Sequence, residues 1–438
     1  MSIELISALM AGSFVMLLIL GVPLAFSAGT IAVVFAVALY GAPGLTLVVS
    51  RVFTLLGNNV LVSVPLFVFM ACLLERAGIA EDIFRVVAAW ASRVPGGLAV
   101  AVIITSTLMA AMVGVLGAEI VTIGIVALPA MLVRGYSKGI ALGSICAGGG
   151  LATLIPPSVV FIMYGLTAGV SIGELYMAGI VPGLMLATLY IAYIMVRATL
   201  RPEEAPRVLT EEASWPLRRK LGLVTHLVLP GLVVLLVLGS LYFGWATPTE
   251  AGGVGVAGAA LSLAFKRRMN WPNVRQAVAE TTRTTAMLYW LFFGSSALIG
   301  VYTLAGGTKM VQSMLTAFPL GPIGVLLLIQ AIWIVLGCFI DWIGILLLTA
   351  PIFVPVVVAM GYDPVWLGVL FCMNMQISYI SPPFGPAAFY LKGVAPPDIS
   401  IGDIFASIWP YLGLQVVALG LVIAFPQLAL WLPATMAR

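Results

Sequence analysis

Long apolar runs alternate with short polar segments along the entire chain. Leu5–Leu20 and Pro23–Tyr40 are the first such runs, and similar ones recur to the last residues. A helix that crosses a bilayer needs about 20 mostly apolar residues. The pattern therefore predicts an all-α polytopic membrane protein whose helices are joined by short polar connections.

The composition excludes a soluble domain. Of 438 residues, 62% are hydrophobic and 8% are charged, whereas about 25% are charged in soluble proteins. Lysine and arginine lie mainly where apolar runs end, so membrane topology explains the net charge of +4. The lipid bilayer is therefore the expected surrounding, and nucleic acid is not an expected partner.

The chain also repeats itself. The tandem prolines Pro156-Pro157 recur 226 positions later as Pro382-Pro383, and such pairs are rare inside apolar runs. Other residues that recur at this spacing are Gly135, Tyr136, Cys146 and Tyr164. The repetition predicts two homologous halves, at 59–200 and 286–433.

Basic residues flank the two halves differently. Around residues 95–133 of the first half they are Arg76, Arg85, Arg93, Arg134 and Lys138. The equivalent segments of the second half, 303–322 and 361–364, carry only Lys309. Because positively charged loops stay in the cytoplasm, the halves are expected to cross the membrane in opposite directions. Such an inverted-topology repeat is typical of secondary transporters.

Each half holds one segment that is too short for two ordinary spans. Residues 95–133 contain two apolar stretches separated by the turn Gly114–Glu119, and 322–360 contain two stretches separated near Asp341. We expect each segment to be a re-entrant hairpin, which enters and leaves the membrane on one side. Two full spans with a tight loop are the alternative.

The tandem prolines interrupt residues 139–170 and 365–391. Proline removes a backbone donor and disfavours helix at the preceding residue, so each segment is expected to be a broken helix. Freed carbonyl groups inside a membrane need protein, water or a cation, and the N-termini of half-helices favour anions. A plain proline kink is the alternative at either site.

Glu119 and Asp341 are carboxylates in apolar surroundings near the predicted hairpin tips. An ionised group is costly there and marks a functional site by default. Each is expected either to lie beside a coupling cation or to accept hydrogen bonds from tip amides as a cap. Glu250, by contrast, is expected to cap the start of a helix.

Several stretches carry a resemblance to a known family: Gly117–Met131, Gly143–Ser158, Gly337–Asp341, Pro351–Pro355 and Ser381–Gly385. Together they resemble the large membrane subunit of the tripartite ATP-independent periplasmic (TRAP) transporters, over essentially the whole chain. The resemblance implies an elevator mechanism, in which a transport domain of hairpins and broken helices slides against a scaffold. It also implies a small four-helix membrane subunit and a periplasmic substrate-binding protein as partners, and a location in the bacterial inner membrane.

The resemblance further implies sodium sites where each hairpin tip meets the neighbouring broken helix, with no other cofactor. The cation-binding candidates are Gly114, Gly117, Glu119, Thr153, Pro156, Gly337, Asp341, Ser378, Ser381 and Pro382. The substrate-binding candidates are Ser158, Asn374, Gln376 and Gly385. Many relatives have a serine-rich first tip where this chain has Gly114–Glu119, so the ligand set of that tip stays open.

The expected domains are N-terminal scaffold helices (1–58), a first repeat (59–200), a basic connector with two spans (201–285) and a second repeat (286–433). The expected function is sodium-coupled import of a small organic anion, a carboxylate, that the periplasmic protein delivers. A stand-alone ion-coupled elevator carrier without a binding protein is the alternative. Because the sequence has neither a membrane-protease motif nor a nucleotide-binding loop, an enzyme and an ATP-driven pump are not expected.

Overall fold

The structure is a computed structural model that describes residues 2–113, 117–207, 217–317 and 321–436. Within these ranges all regular structure is helical, which confirms the all-α prediction. Five described segments are long and apolar enough to span a membrane: Asn59–Arg76, Ile172–Leu200, Trp271–Leu304, Trp342–Ala359 and Ile401–Ala424. Shorter apolar helices, of 10–17 residues, lie between them.

The N-terminal helices lie beside the main core. They are α1 (Ile3–Ile19), α2 (Leu24–Tyr40) and α3 (Pro43–Leu56). Helix α3 begins at a proline, which suits the first helical position because no amide hydrogen is needed there. Buried residues of α1 and α2 form an apolar cluster with Ala297 and Leu298, separate from the larger core.

The first predicted repeat contains two short paired helices and an interrupted one. Its helices are α4 (Ser63–Arg76), α5 (Ile79–Ala91), α6 (Gly97–Val113), α7 (Ala118–Val133), α8 (Lys138–Gly150), α9 (Val159–Ala168) and α10 (Ile172–Leu200). Helices α6 and α7 pack together, and each extends about 25 Å, less than the ~30 Å hydrocarbon layer. A short 3-10 turn and a cis Pro156-Pro157 bond separate α8 from α9.

The connector supplies α11 (Leu217–Tyr242) and α12 (Pro248–Phe265), and α13 (Trp271–Leu304) runs across the predicted start of the second repeat at residue 286. Thr247 and Glu250 form a reciprocal capping box at the start of α12, in which the Glu250 carboxylate accepts from the Thr247 amide at 2.8 Å. This confirms the predicted cap. At the opposite end of these helices Arg76 pairs with Glu280 at 2.8 Å, and Lys266 pairs with Asp82.

The second predicted repeat again contains two paired helices, an interrupted helix and a long helix. Its helices are α14 (Gly307–Ala317), α15 (Gly321–Gly337), α16 (Trp342–Ala359), α17 (Pro364–Ile380), α18 (Pro386–Val394), α19 (Ile401–Ala424) and α20 (Gln427–Ala434). Helices α15 and α16 pack together, and a cis Pro382-Pro383 bond lies between α17 and α18. Proline at the start of α17 and of α18 again suits the first helical turn.

Two sets of helices in the described chain pack closely among themselves, and α13 also contacts α16 while α4 contacts α6. Helices α2, α3 and α4 pack against α13, and α4 and α11 pack against α12. In the other group α8 packs against α6 and α19, and α17 packs against α15 and α19. The half-helices contact the opposite repeat, because α18 packs against α7 and α9 packs against α16. The proposed functional site lies where these groups meet.

Candidate functional site

A central cavity of about 440 Å³ lies between the two helix groups. One wall comes from α2, α4 and α13, through Leu24, Val68, Thr284, Met287, Leu288 and Leu291. The opposite wall consists of Val159, Val160, Asp341, Trp342, Ile343, Tyr379, Phe384, Pro386 and Tyr390. Among the described residues that line the cavity, Asp341 is the only charged one. The volume of the cavity suits a small-molecule ligand.

The N-termini of three helices reach this cavity, since α9 starts at Val159, α16 at Trp342 and α18 at Pro386. A helix N-terminus carries a partial positive charge and free amide donors. The Asp341 carboxylate accepts from the Ile343 amide at 3.3 Å and thereby caps α16. The first turn of α9 has no side-chain cap in the described structure. The uncapped first turn of α9 therefore lies beside a mostly apolar cavity whose described lining also includes the Asp341 carboxylate.

A second, smaller cavity adjoins the first at Asp341. Its lining includes Gly337, Asp341 and Ser378, so the structure brings together three of the residues that the sequence predicts for a cation site. The end of α15 lies directly against α17, because a Cβ atom on Gly337 would be 1.7 Å from the Ser378 Oγ. Carboxylate, hydroxyl and backbone oxygens are the donors that hard cations such as sodium prefer.

Helix α7, in the predicted first hairpin, carries a buried carboxylate. Glu119 is 1% exposed, and neither of its carboxylate oxygens has a hydrogen-bond partner in the described part of the chain. Gly117, with φ of 100°, packs under the Tyr390 ring, which a Cβ atom would approach to 2.8 Å. Tyr379 lies within electrostatic reach of both Glu119 and Asp341. The first tip therefore borders the aromatic wall of the central cavity.

The centres of the two broken helices are joined by buried amide groups. The Gln376 Nε2 atom donates to the Gly150 carbonyl at 2.9 Å. The Asn374 Nδ2 atom donates to the backbone carbonyl and to the side-chain oxygen of Gln330, at 3.1 Å and 2.9 Å. Neither Gln376 nor Asn374 lines the central cavity, and their hydrogen bonds join helices. Their substrate-binding role stays a prediction.

The sequence matches the family described as "Tripartite ATP-independent periplasmic transporter, DctM component" over residues 11–428. The chain belongs to this family. It is therefore a TRAP transporter large permease, located in the inner membrane, and it is not an enzyme.

Two relatives of this TRAP permease match it along nearly its whole length. The C4-dicarboxylate TRAP transporter large permease protein DctM of Vibrio cholerae is 29% identical, over 99% of this chain and 98% of that protein. The ectoine TRAP transporter large permease protein TeaC of Halomonas elongata is 30% identical, over 97% and 98%. Among solved structures, MtrF of Neisseria gonorrhoeae has a TM-score of 0.64 at 15% identity, over 88% of this chain and 85% of that one. That likeness shows a shared membrane-transporter fold alone.

The other candidate residues of this TRAP permease lie around the two breaks. Thr153 donates through its hydroxyl to the Gly150 carbonyl at 2.9 Å, and Ser158 donates to the Thr153 carbonyl at 2.7 Å. Pro156 follows that turn. In the second half Ser381 and Pro382 follow α17, and Gly385 precedes α18 with φ of 24°. Gly114 lies outside the described residues, and all of these assignments stay predictions.

Several lining residues were not singled out from the sequence. They are Val159, Val160, Trp342, Tyr379 and Phe384. Two signals could have found them. A helix that restarts directly after Pro157 must place its first turn in the break, and aromatic residues cluster around the second proline pair.

Proposed function

We propose that this permease imports a small organic anion, a carboxylate, together with sodium. The observation that carries the proposal is the central cavity, where the N-termini of three helices converge beside Asp341. An anion is stabilised at such ends. A cation held by Asp341 in the adjoining small cavity would in turn neutralise the only charged side chain among the described lining residues.

Sodium is the proposed coupling ion because its site would combine a carboxylate with neutral oxygens. Asp341 and Ser378 border the small cavity, and the backbone of the second break, after Ile380, has left the helical ladder. Unwound carbonyls of this kind coordinate sodium in transporters with broken helices. The corresponding site in the first half would use Glu119 and the turn that contains Thr153.

The start of each broken helix lies close to the end of the other, and this arrangement supports an inverted repeat. At the start of α8, Lys138 lies 3.8 Å from Asp398 and from Asp403, near the start of α19. At the start of α17, the Pro364 carbonyl accepts from the Tyr164 hydroxyl, near the end of α9, at 2.9 Å. Helices α8 and α17 would then enter the protein from opposite ends.

An elevator movement would take place between the two helix groups. The wall that α2, α4 and α13 give to the cavity is apolar apart from Thr284. A surface of this kind lets one body slide along another without breaking polar contacts that water would have to replace. We propose that hairpins and broken helices move together along it, carrying both ligands.

The proposed partners follow from family membership. A tripartite transporter has two further components, which we propose are a small four-helix membrane subunit and a periplasmic substrate-binding protein. The relatives named above are transporters of C4-dicarboxylates and of ectoine.

Uptake into proteoliposomes that contain the chain and the small subunit would test the proposal. Carboxylates would be supplied on the purified binding protein, under either a sodium gradient or a proton gradient. We expect accumulation with sodium and the binding protein only. Full uptake without sodium would refute sodium coupling, and full uptake by the chain alone would favour the stand-alone carrier.

A further inference from the structure

A cleft of about 240 Å³ lies between α5 and α7, and it shares no lining residue with the central cavity. The α5 side includes Glu81, Phe84 and Arg85, and the α7 side consists of Val126, Ala130 and Arg134. Residues three or four positions apart lie on one face of a helix. Arg85 and Arg134 therefore belong to the two helix faces that border the cleft.

The two arginines give the cleft a surplus of positive charge. The Arg134 Nη1 atom donates to the Ala130 carbonyl at 3.0 Å, and this bond holds the guanidinium beside a residue of the cleft wall. Neither Arg85 nor Arg134 has an ion-pair partner among the described residues. Glu81 is the only acidic residue in the described lining. Arginine binds phosphate through two parallel hydrogen bonds, so the cleft suits a phosphate group.

The start of α6 also reaches the cleft, through Leu98. The Leu98 amide, however, already donates to the Tyr136 hydroxyl at 3.2 Å. The arginine side chains therefore supply the donors that define the site.

Helix α5 has the features of a helix that lies at the level of lipid headgroups. It has 13 residues, about 20 Å in length, and belongs neither to the potential spans nor to the shorter apolar helices. Its buried face includes Ile79 and Ile83, whereas Glu81 and Arg85 are exposed and Trp90 is 47% exposed. An amphipathic helix that carries tryptophan lies in the membrane interface. At that level phosphate groups belong to phospholipids.

We infer that the α5–α7 cleft binds the phosphate of an anionic glycerophospholipid. Arg85 and Arg134 hold the phosphate oxygens, the glycerol packs against the apolar part of the lining, and the acyl chains stay in the bilayer. Asp82 of α5 pairs with Lys266 at the end of α12. The bound lipid therefore joins α7 to a helix that is already attached to the connector.

Thermal stability of the purified full chain, delipidated in detergent, tests the ligand. The probes are dioleoylphosphatidylglycerol, dioleoylglycerol and sodium phosphate, each titrated at constant ionic strength. We expect the phospholipid to bind about tenfold or more tightly than either of the others, because dioleoylglycerol lacks the phosphate and inorganic phosphate lacks the acyl chains. Equal binding of dioleoylglycerol would exclude phosphate recognition, and equal binding of inorganic phosphate would identify a soluble anion as the ligand. Either result would overturn the inference.

Single substitutions test the site itself. We expect Arg85→Gln and Arg134→Gln each to weaken phospholipid binding about tenfold, because each removes charge-assisted hydrogen bonds. The matched control is Arg93→Gln, which removes the same charge from an exposed residue just after α5 that does not line the cleft. Phospholipid affinity should stay at the wild-type value in this control. Glu81→Gln should strengthen binding, because it removes a like charge from the lining.

Three outcomes of these substitutions would overturn the inference. Equal weakening in Arg93→Gln would show general attraction to a basic surface, which membrane topology alone explains. Unchanged affinity in both Arg85→Gln and Arg134→Gln would exclude the cleft. Weaker binding in Glu81→Gln would contradict an anionic ligand.

Discussion

The side-chain amide of Gln376 donates a hydrogen bond of 2.9 Å to the carbonyl of Gly150, which precedes it by the 226-residue spacing of the sequence repeat. The two residues therefore occupy equivalent positions in the two halves. Gly150 ends α8, and Gln376 lies in the last turn of α17. Both are buried, so the bond fixes the two broken helices against each other at the centre of the protein.

Gln376→Leu removes this bond while keeping the side chain's approximate shape. We expect the free energy of unfolding to fall by about 0.5–1.5 kcal/mol, because one hydrogen bond is lost while the Gly150 carbonyl keeps the Thr153 hydroxyl as a donor. The measurement is denaturant or thermal unfolding of the purified protein. The matched control is Gln427→Leu, at an exposed position of α20, which should have little effect. Equal effects of the two changes would contradict a special role for the bond.

Asp341→Asn separates the two roles of this residue. Asparagine caps a helix as well as aspartate does, so α16 should keep its hydrogen bond from the Ile343 amide. The lost charge should weaken sodium binding about tenfold or more, as measured by sodium titration of thermal stability.

The control for this change is Asp363→Asn. Asp363 caps α17 by accepting from the Val365 and Trp366 amides at 2.7 Å and 3.3 Å. Sodium affinity should stay at the wild-type value in this variant. If Asp341→Asn also binds sodium normally, then Asp341 serves only as a cap.

Gly337→Ala tests the contact between the second hairpin and α17. The added Cβ atom would lie 1.7 Å from the Ser378 Oγ, so α15 and α17 must move apart. Overpacking of this kind destabilises proteins by about 1–3 kcal/mol, and sodium affinity should fall with stability. Gly393→Ala in α18, where no atom lies within 4 Å of the new methyl group, should be tolerated. Sodium binding that survives in a folded Gly337→Ala would show that the contact is not part of the site.

Single cysteines at Ser137 and Asp363 test the inverted topology. The background is Cys338→Ser, because the other three native cysteines are buried. Each replaced residue caps a helix, so each substitution should cost about 1 kcal/mol without preventing folding. We expect an impermeant thiol reagent to label the two positions from opposite sides of the membrane. Labelling of both from the same side would exclude the inversion.

Helix positions were largely predictable from the sequence because each one has a local cause. The apolar runs at Leu5–Leu20 and Pro23–Tyr40 correspond to α1 and α2, and the box at Thr247 and Glu250 starts α12. The tandem prolines mark the ends of α8 and α17 within a few residues. Proline and capping residues act on their own neighbourhood, so their effects can be read without the rest of the fold.

The composition of the cavity could not be predicted in the same way. Whether Gln376 faces a ligand or the Gly150 carbonyl depends on how two distant helices pack, and no local pattern encodes that choice. Asn374 is likewise bound to Gln330, 44 residues away. Polar residues near a break thus indicate the region of a site, whereas their individual partners are set by tertiary packing.

Asp341 forms part of the wall of both cavities. A ligand that binds in one cavity and moves this carboxylate also changes the position of the carboxylate oxygens in the other cavity. Thermodynamic linkage then requires reciprocity, because the factor by which the ion strengthens solute binding equals the factor by which the solute strengthens ion binding. Under the proposed coupling, binding in one of the two cavities would therefore favour binding in the other through this single side chain.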